Sequence, residues 1–383
     1  MTGSLQVKNN KFYMVLNVYE TGNRKRKWIS TGLEVKGNKR RAEQMLRETL
    51  QDFEKKTQKV QSDVLLSDYI RSWLAIARQH VDEVTYQGYE LMANAQVLPY
   101  FEQQQLKLSD VTYQHLQAFF DEKRQRGRKD GKGGLSPSSL RQYKNILNQT
   151  LNEAVKQGLI SSNPCQFVEL PKKERYESSY YNVAQLQQLF TAIQGDPIYP
   201  LVKITALYGL RRSEVLGIQW DSIDFESGRL IIKHTVSRVT KTVSKDKTKN
   251  AASRRSFPLT EEARQIFLAA KQAELENKHL FGKGYHENEY VFKWPDGDPL
   301  KPEYVSAHFA KLLKRYDLPR IRFHELRHSC ASLLLNHGHS LKDVQEWLGH
   351  ADIQMTANIY GHIDIQRKQG MADTLSGSLF RTK

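Results

Sequence analysis

The chain has 383 residues, with 58 Lys and Arg against 42 Asp and Glu and a formal net charge of +16. That length allows two or three domains with real hydrophobic cores, and the positive excess favours a polyanionic partner, nucleic acid first among them. Two cysteines, Cys165 and Cys330, exclude a disulfide framework or a cysteine-rich zinc module, and with no signal-peptide core and no run of about 18 apolar residues the expectation is a cytoplasmic protein that spans no membrane.

Residues 1–60 read as a small module of two or three strands followed by one helix. Phe12, Met14, Leu16 and Val18 alternate with Tyr13, Val15, Asn17 and Tyr19, and Asn9-Asn10 and Thr21-Gly22-Asn23 supply turns on either side. Ala42, Met45, Leu46, Thr49, Leu50 and Phe53 then recur at helical spacing, one stripe that covers one face of such a sheet. The other face stays open. The basic run Arg24-Lys25-Arg26-Lys27-Trp28 enters the next strand, where alternate side chains either reach DNA phosphates and a groove or simply solvate a hairpin.

Residues 64–168 read as all-helical. Leu66, Tyr69, Ile70, Trp73, Leu74 and Ala77 form one amphipathic stripe, Thr85 and Thr112 are candidate caps for the next helices, and the basic loop Arg126 to Gly134 reads as a flexible connection. Ser136 and Pro137 then open a helix whose Leu140, Tyr143, Leu147, Leu151 and Ala154 share a face before Gly158. Asn163-Pro164 and Pro171-Lys172-Lys173-Glu174-Arg175 break the pattern, which places a linker near 169–178. A third domain, 178–383, begins with helices near 183–193 and 200–208, shows β-like runs at Leu230–Val236 and Arg255–Leu259, and returns to helices. The expected fold is multidomain: a small β-sheet plus helix module, an all-α domain, and a mainly α domain with a small β-sheet.

Phosphodiester transfer without a metal needs an oxygen nucleophile, cationic donors to the non-bridging oxygens and a general acid for the leaving 5′-oxygen. The third domain holds residues of all three types. Gly209-Leu210-Arg211-Arg212-Ser213-Glu214 places an Arg just past a helix end, and His324-Glu325-Leu326-Arg327-His328 places another on a later helix. Leu348-Gly349-His350 follows, and Tyr360 stands ten residues beyond that His. In these residues the chain resembles the tyrosine recombinases, the family of phage integrases, chromosome-dimer resolvases and conjugative-transposon integrases, with the last branch the nearest in pattern. The motifs are short, but their order, spacing and confinement to one domain make the set specific, and the three-part layout matches along the whole chain.

The resemblance implies a catalytic set of Arg211, Lys247, His324, Arg327, His350 and Tyr360, with Tyr360 as the nucleophile that forms a 3′-phosphotyrosine. Planar guanidinium forks on Arg211 and Arg327 suit a phosphate whose charge grows in the transition state. A tyrosine with an ordinary pKa near 10 needs a proton acceptor, for which His324 is the candidate, while His350 donates to a non-bridging oxygen. The family's general acid is a lysine on a β-hairpin between the two Arg motifs. Lys247 fits its Lys-Thr-Lys pattern, with Lys245 and Lys249 as alternatives in a hairpin somewhat longer than usual. No metal or other cofactor is implied. The implied partners are double-stranded DNA at core and arm sites and three further copies in a tetramer, with a directionality factor and a host DNA-bending protein as possible additions. The segment from Gly361 to Lys383 is a candidate for docking on a neighbouring subunit.

Two other readings compete. His324-Glu325-Leu326-Arg327-His328 is a literal His-Glu-x-x-His, the zinc-peptidase helix, with Glu346 downstream as a third ligand to consider. Against it, Arg327 between the ligands sets positive charge beside a dication, and Arg211 and Tyr360 are left without purpose. A non-catalytic DNA-binding regulator would share the charge and the modules but has no use for the paired arginines or Tyr360.

Overall fold

The structure, a computed structural model, describes residues 2–20, 23–61, 64–128, 130–172, 179–238, 242–245, 255–350 and 365–380. It divides into two units, Met1–Glu174 and Arg175–Lys383.

The first unit opens with three antiparallel strands, β1 (Thr2–Lys8), β2 (Lys11–Glu20) and β3 (Asn23–Glu34), followed by α1 (Lys39–Gln61). The register sets Leu5, Met14 and Ile29 side by side, and Leu16 and Met14 are buried on that face. Helix α1 covers it: a Cβ added at Gly3 would lie 2.9 Å from Leu16 and 3.0 Å from Leu46, so the side chains of strand and helix meet closely there. Alternation is imperfect, because Val15, on the opposite face, is also buried. It lies opposite Trp28, whose half-exposed ring meets Tyr13 edge-on at 6.2 Å.

Helices α2 (Leu66–His80), α3 (Glu83–Met92), α4 (Leu98–Gln104), α5 (Tyr113–Arg126) and α6 (Pro137–Lys156) form the rest of this unit, with one π-type turn at Ala93–Val97. The α2 stripe is buried from Leu66 to Ala77 and joins Phe101, Leu116, Phe119, Leu147 and Leu151 in one core. Thr112 caps α5 by accepting from the His115 amide, and Ser136 caps α6 by accepting from the Ser139 amide. Thr85 does not cap. Its helix begins two residues earlier at Glu83, with Asp82 in the cap position. The basic loop after α5 is more fixed than its composition suggests. A Cβ at Gly134 would lie 1.6 Å from the Arg124 carbonyl oxygen, so glycine lets the chain return against the helix end, and Arg128 is held by Asp130.

The second unit contains α7 (Val183–Ala192), α8 (Tyr199–Tyr208), α9 (Arg212–Val215), strands β4 (Ile223–Asp224), β5 (Arg229–Ile232), β6 (Thr235–Arg238), β7 (Thr242–Lys245) and β8 (Arg255–Pro258), then α10 (Glu261–Phe281), α11 (Pro302–Arg315), α12 (Glu325–Asn336), α13 (Leu341–Leu348) and α14 (Ile365–Phe380). Antiparallel β4-β5-β8 forms one sheet and β6-β7 a two-stranded ribbon. Helix α12 lies in the core: Leu326 is buried in the main cluster, and Cys330, Ala331 and Leu335 pack with Val344 and Leu348 of α13. Beneath the polar residues that follow, Trp347 stacks on Tyr208 at 6.3 Å and meets Phe257 edge-on at 4.8 Å, fastening α13, α8 and β8 together. Among the described residues no helix is long and apolar enough to cross a membrane.

Candidate active site

Four of the six expected catalytic residues, Arg211, His324, Arg327 and His350, lie in described parts of this unit. Lys247, Lys249 and Tyr360 lie outside the described residues, as does the side chain of Lys245.

Arg327, in the first turn of α12, is 1% exposed, and its guanidinium reaches back rather than out. Nη1 donates to the Gly209 carbonyl at 2.7 Å, Nη2 to the Leu348 carbonyl at 2.6 Å, and Nε to His350 Nε2 at 3.3 Å. Those carbonyls sit at the C-terminal ends of α8 and α13, where unpaired oxygens and the helix dipole both favour a cation. Glycine makes both ends possible. Gly209 and Gly349 hold left-handed φ values of 63° and 66°, and a Cβ at Gly209 would stand 2.4 Å from Leu348. Arg211, at the head of α9, donates from Nη2 to the Gly349 carbonyl at 3.0 Å, so both arginines brace the α13 terminus.

A buried carboxylate ties the pair. Glu214, 2% exposed, accepts from Arg211 Nη1 at 2.6 Å and from the Arg211 amide at 2.8 Å. It also accepts from both terminal nitrogens of Arg255, at 3.2 and 2.9 Å, and lies 3.9 Å from Arg327. Burial pushes its carboxyl pKa up, but the opposing pull of Arg255 and Arg211 is larger, and the net result is a fall to about 2. Three guanidinium groups around one carboxylate leave a surplus of positive charge, the setting an incoming anion requires. Arg255, 7% exposed at its side chain, also lies over the Phe257 ring at 5.3 Å.

The imidazoles are neutral at pH 7. Desolvation, then the charges of Arg327 and Arg211, lower the His350 pKa to about 3. Since Nε2 accepts from Arg327, the ring's proton is assigned to Nδ1. His324 stands more open, at the head of α12, and desolvation together with His328, Arg327 and Arg211 again lowers its pKa. A neutral imidazole at the rim of a cationic bowl can accept a proton, and one held by an arginine can donate to an anion.

Glu214 ends the Gly209–Glu214 motif and Arg255 opens the β-like run at Arg255–Leu259, but the family resemblance assigns neither a role. A signal was present: Glu214 is an acid among the buried Leu210, Val215 and Leu216, a position that an unpaired charge does not occupy. The zinc-peptidase pattern meets a different geometry. Glu325 is 3% exposed, and its carboxylate accepts from the Arg322 amide at 2.5 Å, fastening the turn that leads into α12. His324 and His328 meet edge-on at 5.3 Å, Glu346 is exposed, and no third His, Cys, Asp or Glu joins them among the described residues.

A helical domain followed by a mainly helical unit with a small sheet, its polar centre at the meeting of α8, α9, α12 and α13, is the architecture of integrase-type recombinases. The sequence profile of the phage integrase family matches residues 180–367, and that of the phage integrase N-terminal SAM-like domain matches residues 65–124. The chain belongs to the phage integrase family and is a tyrosine-type site-specific DNA recombinase. A tyrosine recombinase XerC-like protein of Caldanaerobacter subterraneus is 27% identical over 340 residues, covering 82% of this chain and 83% of that protein. The ICEBs1 integrase of Bacillus subtilis is 26% identical over 254 residues, 64% of this chain and 67% of that one. The Tn1549 transposon integrase, solved in complex with a circular intermediate DNA, shares the fold at a TM-score of 0.66 and 22% identity, over 82% of this chain and 99% of that one. The lambda integrase tetramer bound to a Holliday junction shares it at 0.60 and 18%, over 93% and 94%. The likeness to conjugative-transposon integrases drawn from the motifs therefore holds.

Proposed function

We propose that this recombinase cuts and rejoins duplex DNA through a 3′-phosphotyrosine on Tyr360, with Arg211 and Arg327 holding the scissile phosphate. The observation that carries this reading is the convergence of both arginines on the buried Glu214 carboxylate and the Gly209 and Gly349 carbonyls, with His350 accepting from Arg327 and His324 exposed at the head of α12. In the forward step the Tyr360 oxygen attacks phosphorus, its proton passes to His324, and the bond to the 5′-oxygen breaks as Lys247 protonates it. Lys245 and Lys249 are the alternative acids. His350 donates to a non-bridging oxygen. The bond energy stays in the phosphotyrosine, so rejoining needs no nucleotide cofactor. Trapping the protein on a nicked suicide substrate and mapping the linked residue tests the assignment: linkage to any residue but Tyr360 overturns it.

The proposed setting follows the family. Residues 1–60 act as an arm-site module, 64–168 as the core-site domain and 178–383 as the catalytic domain, both units contacting DNA in a homotetramer that works in the cytoplasm on a mobile element or the chromosome. A directionality factor and a host DNA-bending protein are further candidate partners, and Gly361 to Lys383 is the candidate segment for docking on a neighbouring subunit. The exposed Trp28, with Arg26 and Lys27 exposed beside it, supports an arm role for the first module. Deleting residues 1–60 should leave cleavage of an isolated core site intact while impairing recombination between full-length sites, as measured on the two substrates in parallel. Undiminished full-site recombination would assign the module another role.

Metal removal separates this reading from the peptidase one. Adduct formation should proceed at full rate in excess EDTA, and Glu325→Gln should retain most cleavage, because Glu325 only fastens the turn ahead of α12. Since that contact is buried, the variant's melting temperature should fall by a few degrees. EDTA-sensitive peptide hydrolysis with stoichiometric zinc would overturn the reading.

A further inference from the structure

We propose that a cavity adjoining Arg211 and His324 seats a second backbone phosphate of the cut strand, one flanking the phosphate that is cleaved. The inference rests on the reading of the arginine pair as the seat of the scissile phosphate. The cavity encloses about 490 Å³, room for a phosphate and its deoxyribose rather than an ion alone. Its polar lining consists of Arg212, Arg320, Arg322, Ser213, Ser237 and Ser306, besides the shared wall of Arg211 and His324, and no carboxylate lines it among the described residues. Guanidinium and hydroxyl donors without an acid are the chemistry that receives phosphate oxygens.

The local sequence explains how the cations come to face one way. Along the segment leading into α12, Ile321 and Phe323 are each 4% exposed and hold the core side, while Arg320, Arg322 and His324 are exposed on the other. The two arginines therefore line up with His324 along one rim. Across the cavity, Arg212 Nη1 donates to Ser306 Oγ at 2.5 Å, which holds its guanidinium between α9 and α11. Because Arg211 and His324 belong to both the cavity and the catalytic centre, its occupant has to be a close neighbour of the scissile phosphate. Phosphates follow one another at roughly 3.4 Å of axis along a strand, so the nearest neighbours are the candidates.

The test uses the full-length protein on suicide substrates in which each phosphate within two nucleotides of the cut is replaced in turn by an uncharged methylphosphonate. Covalent adduct formation is measured for the wild type, Arg320→Gln/Arg322→Gln and Arg320→Lys/Arg322→Lys. Both arginines are exposed, so the fold should survive, which melting temperatures check. At one flanking position the methylphosphonate should slow the wild type roughly tenfold or more, the size of a lost charge-assisted contact. The same replacement should slow the Gln variant less than about twofold further, because its partner is already gone. The Lys variant should recover much of the rate, and the log–log salt dependence of DNA binding should be shallower by about 1 in the Gln variant alone. Fully additive losses at every flanking position, or a Gln variant with the wild-type rate and salt slope, would overturn the proposal. A wild type that forms no adduct with unmodified DNA would instead sink the phosphotyrosine reading, and this inference with it.

Discussion

Replacing Tyr360 by Phe should leave DNA affinity within about twofold of the wild type, because a single hydroxyl is a small part of a salt-dependent, many-contact interface. Covalent adducts should vanish, with a fall in cleavage on the order of 10⁴-fold or more, because the variant lacks the oxygen of the proposed nucleophile. Denaturing gels of protein mixed with suicide substrate read the adduct directly, and a mobility-shift titration reads binding. Adducts persisting at wild-type levels would remove Tyr360 from its role. A loss of binding equal to the loss of cleavage would show that the hydroxyl serves DNA binding rather than the chemical step.

Much of the fold could be read from residues whose signals are local. Thr112, and Ser136 with Pro137, cap the helices they were expected to cap, and the stripe from Leu66 to Ala77 is buried as its spacing requires. Thr85 misled because Asp82 stands three residues ahead in an equally good cap position, and sequence alone does not rank two neighbouring capping residues. Val15 misled because strand alternation assumes one wet face, whereas Trp28 opposite it and Tyr13 beside it cover part of that face. At the candidate site, motif spacing located both arginines and both histidines but not what holds them. Glu214 and Arg255 are 41 residues apart, and their bidentate pairing exists only once β8 lies beside α9. The glycine carbonyls that receive Arg327 and Arg211 were also hidden, since a backbone oxygen has no letter in the sequence. Lys247 and Tyr360 rest on motif resemblance alone, as they lie outside the described residues.

The two arginines should respond differently to removal although both are proposed to hold the same phosphate. Arg211 is 30% exposed at its side chain, and when it is truncated Glu214 keeps the bidentate grip of Arg255, so no buried charge is abandoned. Arg211→Ala should therefore keep its melting temperature within a few degrees and bind DNA with modest loss, yet fail to form adducts, because the missing donor matters most in the transition state. Arg327→Ala removes a fully buried guanidinium and strips the Gly209 and Leu348 carbonyls of their donor at the ends of two packed helices. Each buried carbonyl left without a donor costs about 1–3 kcal/mol, partly offset because burial and Arg211 already disfavour the Arg327 cation, so for a unit of this size the melting temperature should fall by roughly 5 °C or more. Cleavage should disappear in both variants, and only Arg327→Ala should also unfold early. Thermal melts of the two proteins beside adduct assays at a temperature where both remain folded decide the matter. Equal melting temperatures would mean that Arg327 is not the stabilising clamp its hydrogen bonds describe, and near-normal adduct formation by either variant would count against its role on the phosphate.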